Sequence, residues 1–259
     1  MKHIKRKFLN ELELKRKENE PPLHELLGTK AATSVMINNP KIPKGFIPYF
    51  LTDDLIYTGF QVKINGQKRV IPEPDSILVY YSTAYYNYKA LDESKRKVIK
   101  GTEQPIGSES AIDELYEYFG LVSCVVIFLF MSVEGTMNRC IPEKYIHEKE
   151  MANKTEIYSK EQIERYFSFE RKLEVINEIT QKNFHQNFGM KYQHIINLKH
   201  FRDDIIHTKS TNQGEIASNH NFRRAFQFDF TSTMLAVKDF CNFYLKNDFI
   251  VDCPCSKDW

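Results

Sequence analysis

The stretch that most narrows what this chain can become runs from Ser108 to Cys140. Its middle, Val122 to Val133, reads VSCVVIFLFMSV and is apolar nearly all round when wound as a helix. A helix of that kind must be surrounded by others, so it predicts the buried centre of a helical bundle. Ser108 or Ser110 is positioned to cap its start, and Glu109, Asp113 and Glu114 sit near its positive end. Pro142 ends it. The uninterrupted apolar run, Gly120 to Met131, is too short to span a bilayer and reads as core. Glu134 falls inside the buried pattern, and a buried carboxylate needs a cationic partner.

The rest of the chain divides around that helix. Downstream, Glu143 to Ser159 is polar and predicts a loop or short irregular insertion. Ser159 or Lys160 opens a helix expected to continue to about Phe184, with Ile163, Phe167, Leu173, Ile176 and Ile179 near helical spacing. Asn187 to Gly189 break it before a second amphipathic helix over Tyr192 to Ser210. Thr208 to Asn221 reads as a polar loop able to touch phosphates, and Arg223 and Arg224 follow as candidate RNA contacts just before a closing helix, Gln227 to Asn247.

Upstream, residues 1–18 predict a basic helix carrying Ile4, Phe8, Leu12 and Leu14, stopped by Pro21 and Pro22. Phe60 to Ile71 alternates apolar and polar residues around Asn65-Gly66, a hairpin signal. Ser76 to Tyr88, rich in β-branched and aromatic residues, predicts a third strand, and Lys95 to Pro105 a linker. The expected fold is mostly α. A helical bundle over 106–250 follows a smaller β-containing N-terminal region over 1–105, and a tail occupies 251–259.

Chemistry concentrates in YQHIINLKHFRDDIIHTKS, Tyr192 to Ser210. At about 100° per residue, Ile195, Leu198, Phe201, Ile205 and Ile206 share one side of the helix. His200, Asp203, Asp204 and His207 share the other, with Asp203 and His207 four apart, where a carboxylate would orient the imidazole for proton transfer. Arg202 projects within the apolar stripe. It is expected to reach Glu134, to reach over the helix, or to lie at an interface with a second chain.

Arg202-Asp203-Asp204-Ile205-Ile206-His207 resembles the signature of the HEPN superfamily, helical domains in which an arginine, usually followed by a polar residue, precedes a histidine by four to six residues. The apolar helix with its embedded Glu134 is similar to the one that precedes the motif helix in such domains, and the resemblance covers about residues 108–247. It implies a metal-independent endoribonuclease that leaves 2′,3′-cyclic phosphate ends and works as a homodimer, two motifs facing each other across a two-fold axis. Arg202, His207 and Asp203 would be catalytic, and Glu134, His200 and Asp204 supporting. RNA would be the substrate. Such proteins serve as toxins or phage-defence effectors, which implies an antitoxin or regulatory protein as a further partner. The alternative is a non-catalytic HEPN-like interaction module, in which Arg202 pairs with Glu134 and His207 only caps its helix.

Other classes find less support. A net charge of +2 does not by itself advertise nucleic acid, so RNA contact must come from local patches. No glycine-rich phosphate loop is present, so no nucleotide cofactor is expected. Five cysteines without a C-x-x-C pair indicate neither a disulfide framework nor a metal site. The charged opening, Met1 to Lys17, is unlike a secretory signal, and a cytoplasmic protein that does not engage a membrane is the expectation.

Overall fold

The computed structural model describes residues 3–9, 11–13, 47–52, 55–102, 109–207 and 217–254. The chain is mostly helical, with a small β-hairpin region ahead of the helices. Its backbone divides into two compact units, one of residues 6–78 and one of residues 1–5 with 79–259.

The smaller unit is a four-stranded antiparallel sheet: β1 (Glu11–Glu13), β2 (Ile47–Thr52), β3 (Leu55–Ile64) and β4 (Gln67–Pro72). The first half of β3 lies between β1 and β2, and its second half pairs with β4 from Phe60↔Ile71 to Ile64↔Gln67. Asn65 and Gly66 make the turn with φ of 48° and 81°, the left-handed pair that a two-residue hairpin requires. Gly59 lets the strands close, since a Cβ there would sit 2.7 Å from the Ile71 carbonyl oxygen.

The basic N-terminal helix expected over 1–18 does not form in the described part. Ile4 bridges to Asp252, Phe8 bridges to Pro74, and Glu11–Glu13 is a strand, while 14–18 lie outside the described residues. A short isolated helix is marginal in water. Here distant strand partners and a Phe8–Tyr57 ring contact at 4.6 Å outweigh it.

Ser76 to Tyr88 is likewise a helix rather than a strand. It opens α1 (Ser76–Gly101), which also absorbs most of the expected linker at Lys95 to Pro105. The Asp75 carboxylate accepts from the Ile77 and Leu78 amides and caps the helix start. Tyr81, Ala84, Tyr85, Leu91 and Val98 are buried at helical spacing, a period that outranks β-propensity.

In the larger unit, α2 (Glu109–Cys140) is the central helix the sequence predicts. Val122, Val125, Val126, Leu129, Val133 and Met137 are at most 2% exposed. By length and composition α2 could also cross a membrane; here its neighbours bury it in part. Those neighbours are α4 (Phe169–Thr180), α6 (Gly189–Ile206), α7 (Ala217–Gln227) and α8 (Phe230–Tyr244). Tyrosine hydroxyls tie the bundle across, Tyr81 donating to the Met234 carbonyl at 3.0 Å and Tyr118 to the Ala225 carbonyl at 2.9 Å.

Three further expectations are corrected. Glu143 to Ser159 is not a loop but ends in a hairpin, β5 (Ile146–Met151) and β6 (Lys154–Ser159), turning at Ala152-Asn153. One face packs: His147 and Tyr158 lie over Phe167 at 5.6 and 4.9 Å. The single helix expected to Phe184 is broken into α3 (Lys160–Tyr166), α4 and the short α5 (Phe184–Asn187). Ser159 caps α3 in a box with Gln162, Ser168 caps α4, and Gln181 at φ 54° ends α4. Finally, the loop expected to Asn221 is already helical from Ala217, so Arg223 and Arg224 lie within α7; residues 208–216 lie outside the described residues.

Candidate active site

Helix α6 carries the motif with its buried side, Ile195, Leu198 and Phe201, against the core. It ends at His207, whose backbone N–H donates to the Asp203 carbonyl at 2.9 Å. Arg202 leaves the apolar side towards α2. One terminal nitrogen stands 3.7 Å from Glu134 Oε2, the other donates to Asp203 Oδ1 at 3.0 Å, and the guanidinium lies 5.2 Å from the Phe130 ring centroid. The Glu134 partner anticipated from sequence is therefore present. It is a loose and incompletely buried one, with side chains 27% and 34% exposed.

Asp203 joins a different network from the one its spacing suggests. Lys199 reaches it at 3.3 Å and also reaches Glu170 on α4 at 3.5 Å. Burial pushes the Asp203 carboxyl up, but hydrogen bonds from Arg202 and Lys199 outweigh that and hold it below the ordinary carboxylate value. Among the described residues its side chain orients no histidine: the expected Asp203–His207 side-chain contact is absent, because two cations closer to the α2 and α4 side claim the carboxylate first.

Asp204 turns the other way. Its carboxylate accepts from Arg224 at 2.7 Å, and Asn221 donates to its carbonyl at 3.1 Å. Arg224 also donates to the Asn197 carbonyl at 2.7 Å and lies 5.0 Å over the Phe201 ring, so it fastens α7 to α6 instead of standing open to RNA. Arg223, on the same helix, is exposed, as are His200 and His207. The four polar residues that share a helix face in projection are thus drawn apart by what packs on either side of α6.

One residue near Arg202 escaped sequence reasoning. Lys172 is 5% exposed on α4, and its ammonium reaches the Asn138 side-chain oxygen Oδ1 on α2 at 3.5 Å. Burial pulls its pKa down, with Glu134 and Glu164 pulling back and Arg202 adding to the fall. The available signal was the one that marked Arg202: a long cation inside an apolar stripe, here beside Phe169, Leu173 and Ile176. Among the described residues no three His, Cys, Asp or Glu side chains gather as a metal site.

What this arrangement offers chemically is a half-exposed guanidinium with donors to spare, steadied by two carboxylates, and an imidazole at the end of the same helix. Arg202 and His207 are five residues apart, about 140° around the helix axis. One α6 alone cannot aim both at one phosphate. Comparison of the chain with protein-family models, with curated proteins and with solved structures finds no match.

Proposed function

We propose that this chain is a metal-independent endoribonuclease of the HEPN type, acting in the cytoplasm as a homodimer without engaging a membrane. The observation that carries the reading is the state of Arg202. Glu134 at 3.7 Å and Asp203 at 3.0 Å orient its guanidinium without burying it, while His207 ends the same helix exposed. A guanidinium used only to neutralise a core carboxylate is expected in close, bidentate contact with it.

In the proposed reaction the 2′-oxygen attacks the adjacent phosphorus and the bond to the 5′-oxygen breaks. One product ends in 2′,3′-cyclic phosphate and the other begins with a 5′-hydroxyl. His207 of one protomer takes the 2′ proton and that of the second protonates the leaving oxygen. Arg202 binds the phosphate oxygens as charge accumulates on them. The angular separation of Arg202 and His207 on α6 favours a site completed by two copies. Arg223 is the better of the two expected RNA contacts, since Arg224 is committed within the fold. A role as a toxin or phage-defence effector, restrained by an antitoxin or regulatory protein, belongs to the same reading.

The test is cleavage of a mixed RNA in EDTA by the wild type and by His207→Ala, with analysis of fragment ends. Cyclic phosphate ends that disappear in the variant are expected. Intact RNA from a folded, dimeric wild type would refute the reading. It would favour a non-catalytic interaction module, for which the Glu134–Arg202–Asp203 network is a sufficient structural reason.

A further inference from the structure

Lys172 presents a physical puzzle. It is 5% exposed, yet its ammonium, with three donors, has one hydrogen bond at 3.5 Å, to Asn138. Among the described residues no carboxylate stands within ion-pair distance of it. Buried lysines are rarely left so poorly partnered, because desolvating an ammonium is costly unless something compensates. Replacement by a hydrophobic residue of similar volume would relieve the cost, so stability does not account for the charge.

Its surroundings suggest what the charge does. Glu134 and Asn138 stand one turn apart on α2, on the same helix face. Lys172 reaches Asn138 from α4, and Arg202 reaches Glu134 from α6. The groups acting electrostatically on Lys172 are Glu134 from α2, Glu164 from α3 and Arg202 from α6. Just beyond lie Asp203 and Lys199 of α6 and Glu170 of α4. Glu134 therefore stands 3.7 Å from Arg202 and one helical turn from the residue that Lys172 touches, and neither cation holds it in a short ion pair.

We propose that Lys172 is a positioning residue, whose ammonium, held against Asn138 one turn along α2 from Glu134, offsets that carboxylate at longer range and so keeps the Arg202 guanidinium open to a phosphodiester. The ligand class, a nucleic-acid backbone phosphate, rests on the ribonuclease reading. With Lys172 uncharged, Glu134 has one cation left to neutralise and draws Arg202 into a direct hydrogen-bonded pair. The donors needed for phosphate are then occupied.

The experiment is anisotropy titration of a labelled single-stranded oligodeoxynucleotide, which lacks the 2′-hydroxyl and cannot be cleaved, at fixed ionic strength. Lys172→Met is expected to bind about tenfold more weakly, equivalent to ~1.4 kcal/mol, with a melting temperature equal to or above that of the wild type. Adding Glu134→Gln should restore most of the loss. In an Arg202→Met background, Lys172→Met should change nothing further, whereas simple loss of a positive charge would weaken binding in both backgrounds.

Unchanged binding by Lys172→Met, no rescue by Glu134→Gln, or an undiminished effect without Arg202 would each overturn the proposal. If Lys172→Met does not fold, Glu134→Gln alone decides: it must bind at least as tightly as the wild type. Cleavage is scored separately with RNA. A wild type that binds but does not cleave removes the ribonuclease and leaves Lys172 to be judged on binding. A wild type that cleaves while Lys172→Met binds normally removes only the positioning role. Absence of both binding and cleavage removes both.

Discussion

Replacing Arg224 by methionine should cost stability. The substitution keeps much of the aliphatic stem and removes three contacts: the 2.7 Å bond to Asp204, the 2.7 Å bond to the Asn197 carbonyl and the stacking over Phe201 at 5.0 Å. The side chains of the ion pair are 20% and 41% exposed, so the pair itself is worth about 0.5 kcal/mol. The bond to the Asn197 carbonyl adds about 1 kcal/mol, and the ring contact about 0.5 kcal/mol. The sum is about 2 kcal/mol. In a chain of this size each kcal/mol moves the melting temperature by about 2–4 °C, which makes the expected drop about 4–8 °C. Thermal unfolding followed by far-ultraviolet circular dichroism measures it, with Arg223→Met as the comparison. That exposed neighbour should stay within ~0.5 kcal/mol of the wild type. Equal melting temperatures for Arg224→Met and the wild type, or equal losses at both arginines, would refute the assignment of Arg224 to the α6–α7 joint.

Two other expectations concern protonation. Asp203 is held below the ordinary carboxylate value in the folded chain. Its contribution should therefore be present above about pH 4, the unfolded value, and vanish as pH falls through the folded one. Asp203→Asn should be about 1 kcal/mol less stable at pH 7, and a deficit undiminished at pH 2 would contradict that. Burial pushes the Cys140 thiol up to about 11, against smaller opposing pulls from Lys182 and Arg139. At pH 8 iodoacetamide should leave Cys140 unmodified in the native protein and label it after denaturation, read by peptide mass spectrometry; rapid native labelling would show that the thiol ionises freely.

What the sequence disclosed and what it concealed follow from one distinction. The α2 helix was legible because a run apolar on all faces has few alternatives, and the Asn65-Gly66 hairpin because its turn chemistry is local. The strand at Ile146–Met151 was hidden, since half of IHEKEM is charged and its packed face depends on His147 meeting Phe167 across the chain. Residues 1–18 offered a helical pattern, and in their described part pairing with distant residues overrides it. At the site, Glu134 and Arg202 could be matched as two misfit charges in apolar stripes. The Asp203–His207 pairing failed because a helical projection shows which residues share a face but not which neighbours compete for them. Lys199 and Arg202 claimed Asp203, and Arg224 claimed Asp204.

The short ladder joining the two ends of the larger unit bears on how the protein is made. The Lys5 N–H donates to the Val251 carbonyl and the Cys253 N–H to the His3 carbonyl, so a segment made early is completed by one made about 250 residues later. At roughly 5–20 residues per second, the ribosome takes about 12–50 s to travel between them. Throughout that interval Ile4, which ends 5% exposed, lacks its bridge partner Asp252. Everything from 6 to 78 emerges and can form its sheet before the flanking unit can close. Residues 3–5 thus settle only after residues 251–253 are made, and vectorial synthesis sets the order of assembly against the order of the sequence.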